Sequence, residues 1–128
     1  MITIALLQFL EDNGIGTIDQ DLFWQNIGID AEGLYIVNIG QGQERGQRRV
    51  QRYELYSRSK SKLAGLQKLE SVIELINNSY GVCELPAVKE YNVPAYGNVT
   101  LMPLSTPTRV GEDANGRIIW STSGTIIY

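Results

Sequence analysis

Residues 34–57 have the sequence LYIVNIGQGQERGQRRVQRYELYS, and this stretch decides the fold. Its first part, residues 34–39, is rich in β-branched and aromatic side chains, which favour a strand. Residues 40–46 hold three glycines and no apolar side chain, which predicts a flexible hairpin connection. Residues 48–57 predict a second strand. One face of that strand carries Val50, Arg52, Glu54 and Tyr56. The two strands together predict an antiparallel hairpin.

An amphipathic helix is predicted on each side of this hairpin. In residues 2–12 apolar side chains recur at helical spacing, and the following Gly14 supplies a stop because glycine accepts the left-handed conformation. The second helix is predicted to begin at a cap on Ser59 or Ser61 and to run to about Asn77. Its apolar stripe consists of Leu63, Leu66, Leu69, Val72, Ile73 and Ile76.

The remaining segments predict shorter elements. In chain order these are a partly buried helical turn in 19–28, short extended pieces in 82–98, a strand at 99–104, a loop at 105–116, and strand pieces at 117–120 and 125–128 split by 121–124. The order helix, hairpin, helix, hairpin predicts a single α+β domain over residues 1–128. We expect a small, largely antiparallel mixed sheet with two main helices packed on one face.

The composition disfavours the commonest kinds of catalytic site. The chain has no histidine, which is the commonest general base and transition-metal ligand, and its one cysteine is Cys83. A Cys/His zinc site, a Ser-His-Asp triad and an intrachain disulfide are therefore excluded for a single chain. The acids near Asp19 and Asp21 lack the order of a calcium loop. We expect no catalytic residue, no metal and no cofactor, and we interpret Cys83 as a small buried thiol.

Hydropathy predicts no contact with a membrane. No segment approaches the roughly 18–20 consecutive apolar residues that a membrane helix needs. Residues 1–7 lack a basic leader and a small-residue cleavage site, so we expect them to begin the fold. The single cysteine fits a reducing cytosol or a particle assembled there.

Charge is divided sharply along the chain. Eight of the eleven basic residues lie between Arg45 and Lys68, where Glu54 is the one acid, so this stretch carries +7 and the remainder −10. We predict an interaction surface formed by Arg45, Arg48, Arg49, Arg52, Lys60 and Lys62. Such opposed charges suit head-to-tail association of copies. A solvated strand face, and a nucleic-acid-binding module using the four arginines, are the alternatives.

Four stretches together carry a resemblance to a known family. They are residues 2–17 followed by Leu22-Phe23, residues 33–58 through the Gly/Gln hairpin, the helix at 63–76 after Ser-Lys-Ser-Lys, and residues 107–121, PTRVGEDANGRIIWS. The whole-chain pattern resembles the tail terminator proteins of long-tailed bacteriophages, also called tail completion or minor tail proteins. The fourth stretch is similar to the acidic-Asn-Gly-Arg turn that leads into the closing strand of such proteins.

The resemblance implies a structural virion protein without catalysis. Such proteins form a hexameric ring that caps the completed tail tube, stops its polymerisation and offers a joining surface to the head–tail connector. The implied partners are other copies, the tail tube protein and the connector, with DNA passing through the lumen without specific binding. Assembly would take place in the host cytoplasm and end in the virion neck.

The same resemblance suggests which segments make the contacts. By analogy, residues 40–49 and 109–117 are expected contact loops, which adds Arg109, Asp113 and Arg117 to the predicted interface. A head-side neck connector or stopper protein is the alternative within the same setting.

Overall fold

The computed structural model describes residues 1–28, 30–43, 48–79 and 82–128. In these residues two helices pack on a curled, mixed sheet of seven strands, which confirms the predicted α+β class. The elements are α1 (Ile2–Asp12), β1 (Leu22–Trp24), β2 (Gly33–Gln43), β3 (Arg49–Ser59), α2 (Ala64–Asn78), β4 (Val82–Leu85), β5 (Tyr96–Leu101), β6 (Thr108–Glu112) and β7 (Ile118–Ile127). A short 3-10 turn, Lys89–Tyr91, lies between β4 and β5.

The strand order in the sheet is β1-β2-β3-β7-β5-β4. The predicted hairpin is confirmed, because β2 and β3 pair antiparallel from Gly33 opposite Arg58 to Gln43 opposite Arg49. The long strand β7 pairs with all of β3 on one side. On its other side β7 pairs first with β6 and then, near its end, with β5. The pairing of β1 with β2 is parallel, and the other strand pairs are antiparallel.

The two helices cover the same face of this sheet and bury the core. Helix α2 lies across β3 and β7, whereas α1 contacts β1 and β2 and also β4 at the opposite end of the strand order. Helix α1 therefore bridges the two edges of the curled sheet. Its side chains Leu6, Leu7 and Leu10 are at most 1% exposed. Each such leucine contributes about 1.5–3 kcal/mol through burial.

Residues 22–24 form strand β1, so the predicted helical turn in 19–28 is wrong. Leu22 lies opposite Leu34 and Trp24 opposite Ile36 in a parallel ladder. Asp19 and Gln25, on either side of the strand, have left-handed φ angles of 68° and 65°, which a continuous helix does not accommodate. The pairing with β2 is a tertiary contact, and it overrides the weak helical spacing of the segment.

The second half of the chain holds more strand than predicted. Residues 108–112, predicted as loop, form β6, and the two pieces predicted around residues 121–124 are one continuous strand, β7. Ser121 and Gly124 lie opposite Tyr56 and Tyr53 of β3. Because the ladder joins backbone groups, small polar side chains do not interrupt it. Strand β5 runs from Tyr96 to Leu101, whereas the sequence predicted a strand at 99–104.

The hairpin and α2 also differ in extent from their predictions. Residues 40–43 belong to β2, and the rest of the predicted flexible connection, residues 44–46, lies outside the described residues. Helix α2 begins at Ala64, where the backbone N–H donates to Ser61 Oγ at 3.2 Å. Leu63 is 61% exposed and does not belong to the buried stripe. The stripe is completed at its start by Gly65, which packs against Ser57 of β3.

Candidate assembly surfaces

The basic stretch is one run in the sequence but not one patch on the molecule. Strand β3 has eleven residues, so its ends lie roughly 33 Å apart at the usual rise per residue. Arg48 and Arg49 lie where β3 begins, which is termed the hairpin end. Lys60 and Lys62 follow its other end, where α2 starts, termed the α2 end. The predicted interface is therefore divided between opposite ends of the protomer.

At the α2 end, basic and acidic groups lie close together. Lys68 Nζ lies 2.8 Å from Asp21 Oδ2. Burial alone would raise the pKa of Asp21, but the hydrogen bond from Lys68 and the positive charge outweigh it and lower that pKa. The backbone N–H of Lys60 donates to Glu32 Oε1 at 2.7 Å, while the side chains of Lys60 and Lys62 are exposed. Lys68 thus has an acidic partner within the protomer, whereas the side chains of Lys60 and Lys62 form no ion pair with a described residue.

Asp113 and Arg117 close a turn at this same end. Asp113 Oδ1 accepts the backbone N–H groups of Asn115 and Arg117, each at 2.9 Å, and Oδ2 accepts Arg117 Nε at 2.9 Å. Arg117 is 4% exposed, and its Nη1 donates to the carbonyl of Ala31 at 3.2 Å. The bond from the Arg117 backbone N–H is the main cause that lowers the pKa of Asp113. Both side chains are committed within the protomer, and we do not retain them in the proposed interface.

Arg58 joins the same network from β3. Its guanidinium donates from Nε to the carbonyl of Ala31 at 3.0 Å and from Nη2 to the carbonyl of Gly28. The carboxylate of Asp113 lies 4.0 Å from Arg58 Nε. Arg58 thus ties the segment before β2 to the sheet, so its contribution to the basic stretch is structural.

At the hairpin end, the arginines divide into a structural one and exposed ones. Arg48 Nη2 donates to the carbonyls of Asn98 at 2.8 Å and Ile127 at 3.2 Å, which ties β5 to β7. Arg49 and Arg52 are exposed and form no ion pair with any described residue. The predicted contact residue Arg45 lies outside the described residues. Among the described arginines of the basic stretch, Arg49 and Arg52 are therefore the two whose side chains are exposed and available for an external contact.

Arg52 lies on the helix-free face of the sheet, beside the apolar side chains of Val50, Met102, Pro103 and Ile127. Its neighbours in the strand, Gln51 and Tyr53, are fully buried on the opposite face, under the helices. A shallow cavity of about 440 Å³ lies around Arg52 on this face. Its lining, termed the Arg52 surface, consists of Gly42, Val50, Arg52, Met102, Pro103, Thr125 and Ile127. A guanidinium beside apolar side chains is a common composition of protein–protein contacts.

A second surface has the opposite charge. A groove of about 520 Å³ lies between the C-terminal end of α1 and strands β4 and β5. Its lining, termed the Asp12 groove, consists of Phe9, Asp12, Asn13, Glu84, Leu85, Pro86, Ala95, Tyr96 and Gly97. Asp12 accepts a hydrogen bond from Gln8 Nε2 at 2.9 Å, and neither Asp12 nor Glu84 forms an ion pair with a described residue. The groove thus combines apolar side chains with two carboxylates that form no ion pair with a described residue.

The end of α1 adds to this negative charge. Helix carbonyls give a helix C-terminus a partial negative charge, which a basic side chain in the last turn usually offsets. The last turn of α1 contains no basic residue and instead ends in Glu11 and Asp12. Cys83 lies nearby in β4, half-buried, and burial raises the pKa of its thiol, which keeps it protonated at neutral pH.

Sequence reasoning missed the Asp12 groove. Asp12 and Glu84 are 72 positions apart in the chain, on a helix and a strand that only the fold brings together. The acidic last turn of α1 was the one local signal, because it runs against the helix dipole. Arg109, which the resemblance suggested as a contact residue in a loop, is exposed on β6, next to Val110 with 56% exposure.

No protein-family model matches the chain, and no curated protein matches it. Among the described residues, no helix combines the length and apolar character needed to cross a membrane. In the same residues, no three cysteine or acidic side chains come together in a way that could hold a metal ion.

Proposed function

We propose that the protein is a structural subunit that assembles head-to-tail with copies of itself into a ring. One observation carries this proposal: the protomer presents two apolar surfaces of opposite charge, the Arg52 surface and the Asp12 groove, in different places. Two different complementary patches on one chain generate heterologous contacts, and these close into rings when the rotation between copies permits.

Within this class, we propose a tail terminator that caps the tail tube of a long-tailed bacteriophage. The support is the resemblance of the four stretches of sequence, together with the small α+β domain that this resemblance implies. In this role the ring stops polymerisation of the tube and provides the surface that joins the tail to the head. The proposal includes no catalysis, consistent with a composition that lacks histidine.

The first experiment measures assembly of the purified protein. Size-exclusion chromatography with light scattering at low and high salt should give a hexamer, or a monomer that becomes hexameric when tail tubes are added. Electron microscopy should show rings with a central hole, located at one end of each tube. A protein that stays monomeric under all these conditions and never binds tubes would contradict the proposal.

A second experiment separates the terminator from a head-side connector or stopper. The protein is incubated with isolated tail tubes and, separately, with DNA-filled capsids that lack tails. A terminator binds the tubes first, whereas a head-side connector binds the capsids. Binding to capsids alone would assign the protein to the head side of the neck.

A third experiment addresses the nucleic-acid-binding alternative. Duplex DNA of mixed sequence is titrated with the protein at low salt in a gel-shift assay, and then at increasing salt. A DNA-binding module loses affinity steeply with salt because bound counterions are released. Weak binding that the Arg49→Ala/Arg52→Ala variant retains would remove these arginines from any such role.

A further inference from the structure

We infer that the Asp12 groove of one copy receives the Arg52 surface of the next copy. This contact rests on the proposed ring, and it names the two surfaces that meet. The Asp12 groove combines two carboxylates with apolar side chains, and the Arg52 surface combines a guanidinium with apolar side chains. A second copy of this chain is the occupant that offers the complementary chemistry.

The groove carries negative charge that no lysine or arginine among the described residues offsets with an ion pair. Asp12, Glu84 and the carbonyl end of α1 converge there, and no described lysine or arginine forms an ion pair with either acid. An acidic last turn is locally unfavourable for an isolated helix. A positive group from outside would remove this local cost, so the arrangement suits a docked cation.

The walls of the groove favour arginine over lysine as that cation. Phe9 and Tyr96 are aromatic and partly buried, and Leu85 and Pro86 complete the apolar side. A guanidinium is planar and weakly hydrated, so it stacks on aromatic faces while it donates hydrogen bonds to a carboxylate. A lysine ammonium is more strongly hydrated and fits such walls less well.

Few arginines are free to fill this role. Arg48, Arg58 and Arg117 are bound within the protomer. Among the described arginines this leaves Arg49, Arg52 and Arg109, which are exposed. Arg52 shares its cavity with Val50, Met102, Pro103 and Ile127, and Met102 is 37% exposed, so its docking would also bury apolar area. Apolar burial together with charge pairing is what a stable contact needs.

The contact must form between copies. Arg52 projects from the helix-free face of β3, and the groove lies beside α1 at the β4 edge of the sheet. Strands β7 and β5 stand between β3 and β4, so Arg52 does not reach the groove of its own protomer. Because the two patches differ, each copy can use one toward each neighbour, which is the geometry of a head-to-tail ring.

The test is a complementation experiment with two charge reversals, Arg52→Glu and Asp12→Arg. Both positions are exposed, so the variants should keep the wild-type circular dichroism spectrum. Each variant alone should need at least about tenfold more protein for half-assembly than the wild type. Mixed in equal amounts, they should form at least a two-chain complex, because the intact groove of one meets the intact Arg52 surface of the other.

Matched controls separate the contact from a general effect of net charge. Lys62 belongs to the interface predicted from the sequence, but it lies at the α2 end and lines neither of the two surfaces of this contact. Lys62→Glu changes the net charge as Arg52→Glu does, and Glu74→Arg changes it as Asp12→Arg does, both at exposed positions. The controls should assemble at wild-type concentrations. The inference would be overturned if Lys62→Glu weakened assembly as much as Arg52→Glu does. It would also be overturned if Arg109→Glu abolished assembly while Arg52→Glu left it intact.

The outcomes also distinguish this inference from the proposed function. Wild-type rings that both charge reversals leave intact would refute the contact and retain the ring. Two variants that stay monomeric when mixed would also refute the contact, since the one intact pair of surfaces should suffice to join two chains. A wild-type protein that forms no ring in solution or on tubes would refute the proposed function and, with it, this contact.

Discussion

The side chain of Tyr53 lies directly across Gly124 of the neighbouring strand. A β-carbon on Gly124 would stand 2.5 Å from the Tyr53 hydroxyl oxygen and 2.4 Å from Leu104 Cδ2. The two residues are opposite each other in the pairing of β3 with β7, and Tyr53 is fully buried, which raises the pKa of its phenol well above the usual value. Glycine within a strand often marks such a close approach, and here it makes room for the largest buried side chain.

We therefore expect Gly124→Ala to destabilise the protein. The added methyl group must displace Tyr53 or Leu104, and overpacking of this kind costs about 1–3 kcal/mol of the free energy of unfolding. Urea denaturation followed by circular dichroism measures the change. Gly40→Ala is the matched control, because a β-carbon at that strand glycine meets nothing within 4 Å. Equal midpoints for the two variants would show that Tyr53 is not held by Gly124.

Asp113→Asn should destabilise the protein in a pH-dependent way. Hydrogen bonds from Arg117 and Asn115 lower the pKa of Asp113 below its usual value of 3.8, so the carboxylate contributes stability above that pH. The contribution is lost as the pH falls through the lowered pKa. Thermal melting should therefore show a deficit for the variant at pH 7 that shrinks once the pH falls below 3.8 and through the lowered pKa. Asp30→Asn, at an exposed position, is the control, and a deficit independent of pH would contradict the prediction.

Thr3→Val should destabilise the protein, because Thr3 links α1 to the sheet through two side-chain hydrogen bonds. Thr3 Oγ1 donates to Asn38 Oδ1 at 2.7 Å and accepts Trp24 Nε1–H at 2.8 Å, and Thr3 is fully buried. Valine keeps the shape but removes both bonds, which costs about 1–3 kcal/mol when the partners stay desolvated. Urea unfolding measured by tryptophan fluorescence tests this, with the exposed Thr106→Val as control. Similar stabilities for both variants would show that water replaces the lost bonds.

Arg48→Ala and Arg49→Ala should differ although the residues are neighbours. Arg48 holds backbone carbonyls of Asn98 and Ile127, so its loss should lower the free energy of unfolding by about 1–2 kcal/mol. The exposed Arg49 side chain makes no such bond with a described residue, and its removal should change the free energy of unfolding by no more than about 0.5 kcal/mol. Chemical denaturation of both variants at one salt concentration gives the comparison. A larger loss for Arg49→Ala would reverse the assigned roles.

The elements that the sequence predicted well are those with strong local patterns. Helix α1 has the predicted bounds, and the β2–β3 hairpin pairs as predicted, with Tyr53 and Leu55 on the buried face. Strand β1 and strand β6 were missed because short, polar or mixed segments carry little periodicity of their own. Their pairing partners, β2 and β7, are distant contacts that supply the missing preference.

The candidate surfaces show the same division. The sequence identified a basic stretch, and Arg49 and Arg52 lie exposed within it. It did not reveal that Lys60 and Lys62 stand at the far end of β3, or that Arg117 is buried against Asp113. Whether a charged side chain is free or bound depends on what packs beside it, and that information is tertiary.

The sequence by itself thus determined the fold class, the two amphipathic helices, the hairpin and the overall opposition of charge. These follow from the spacing of apolar side chains and from composition, which act over a few neighbouring residues. Only the tertiary structure decided which charges face outward, because curling the sheet around α1 brings Asp12 beside Glu84 and turns Arg52 to the opposite face. The physical reason is that packing brings together residues that are far apart in the chain, and the spacing of neighbouring side chains carries no information about such contacts.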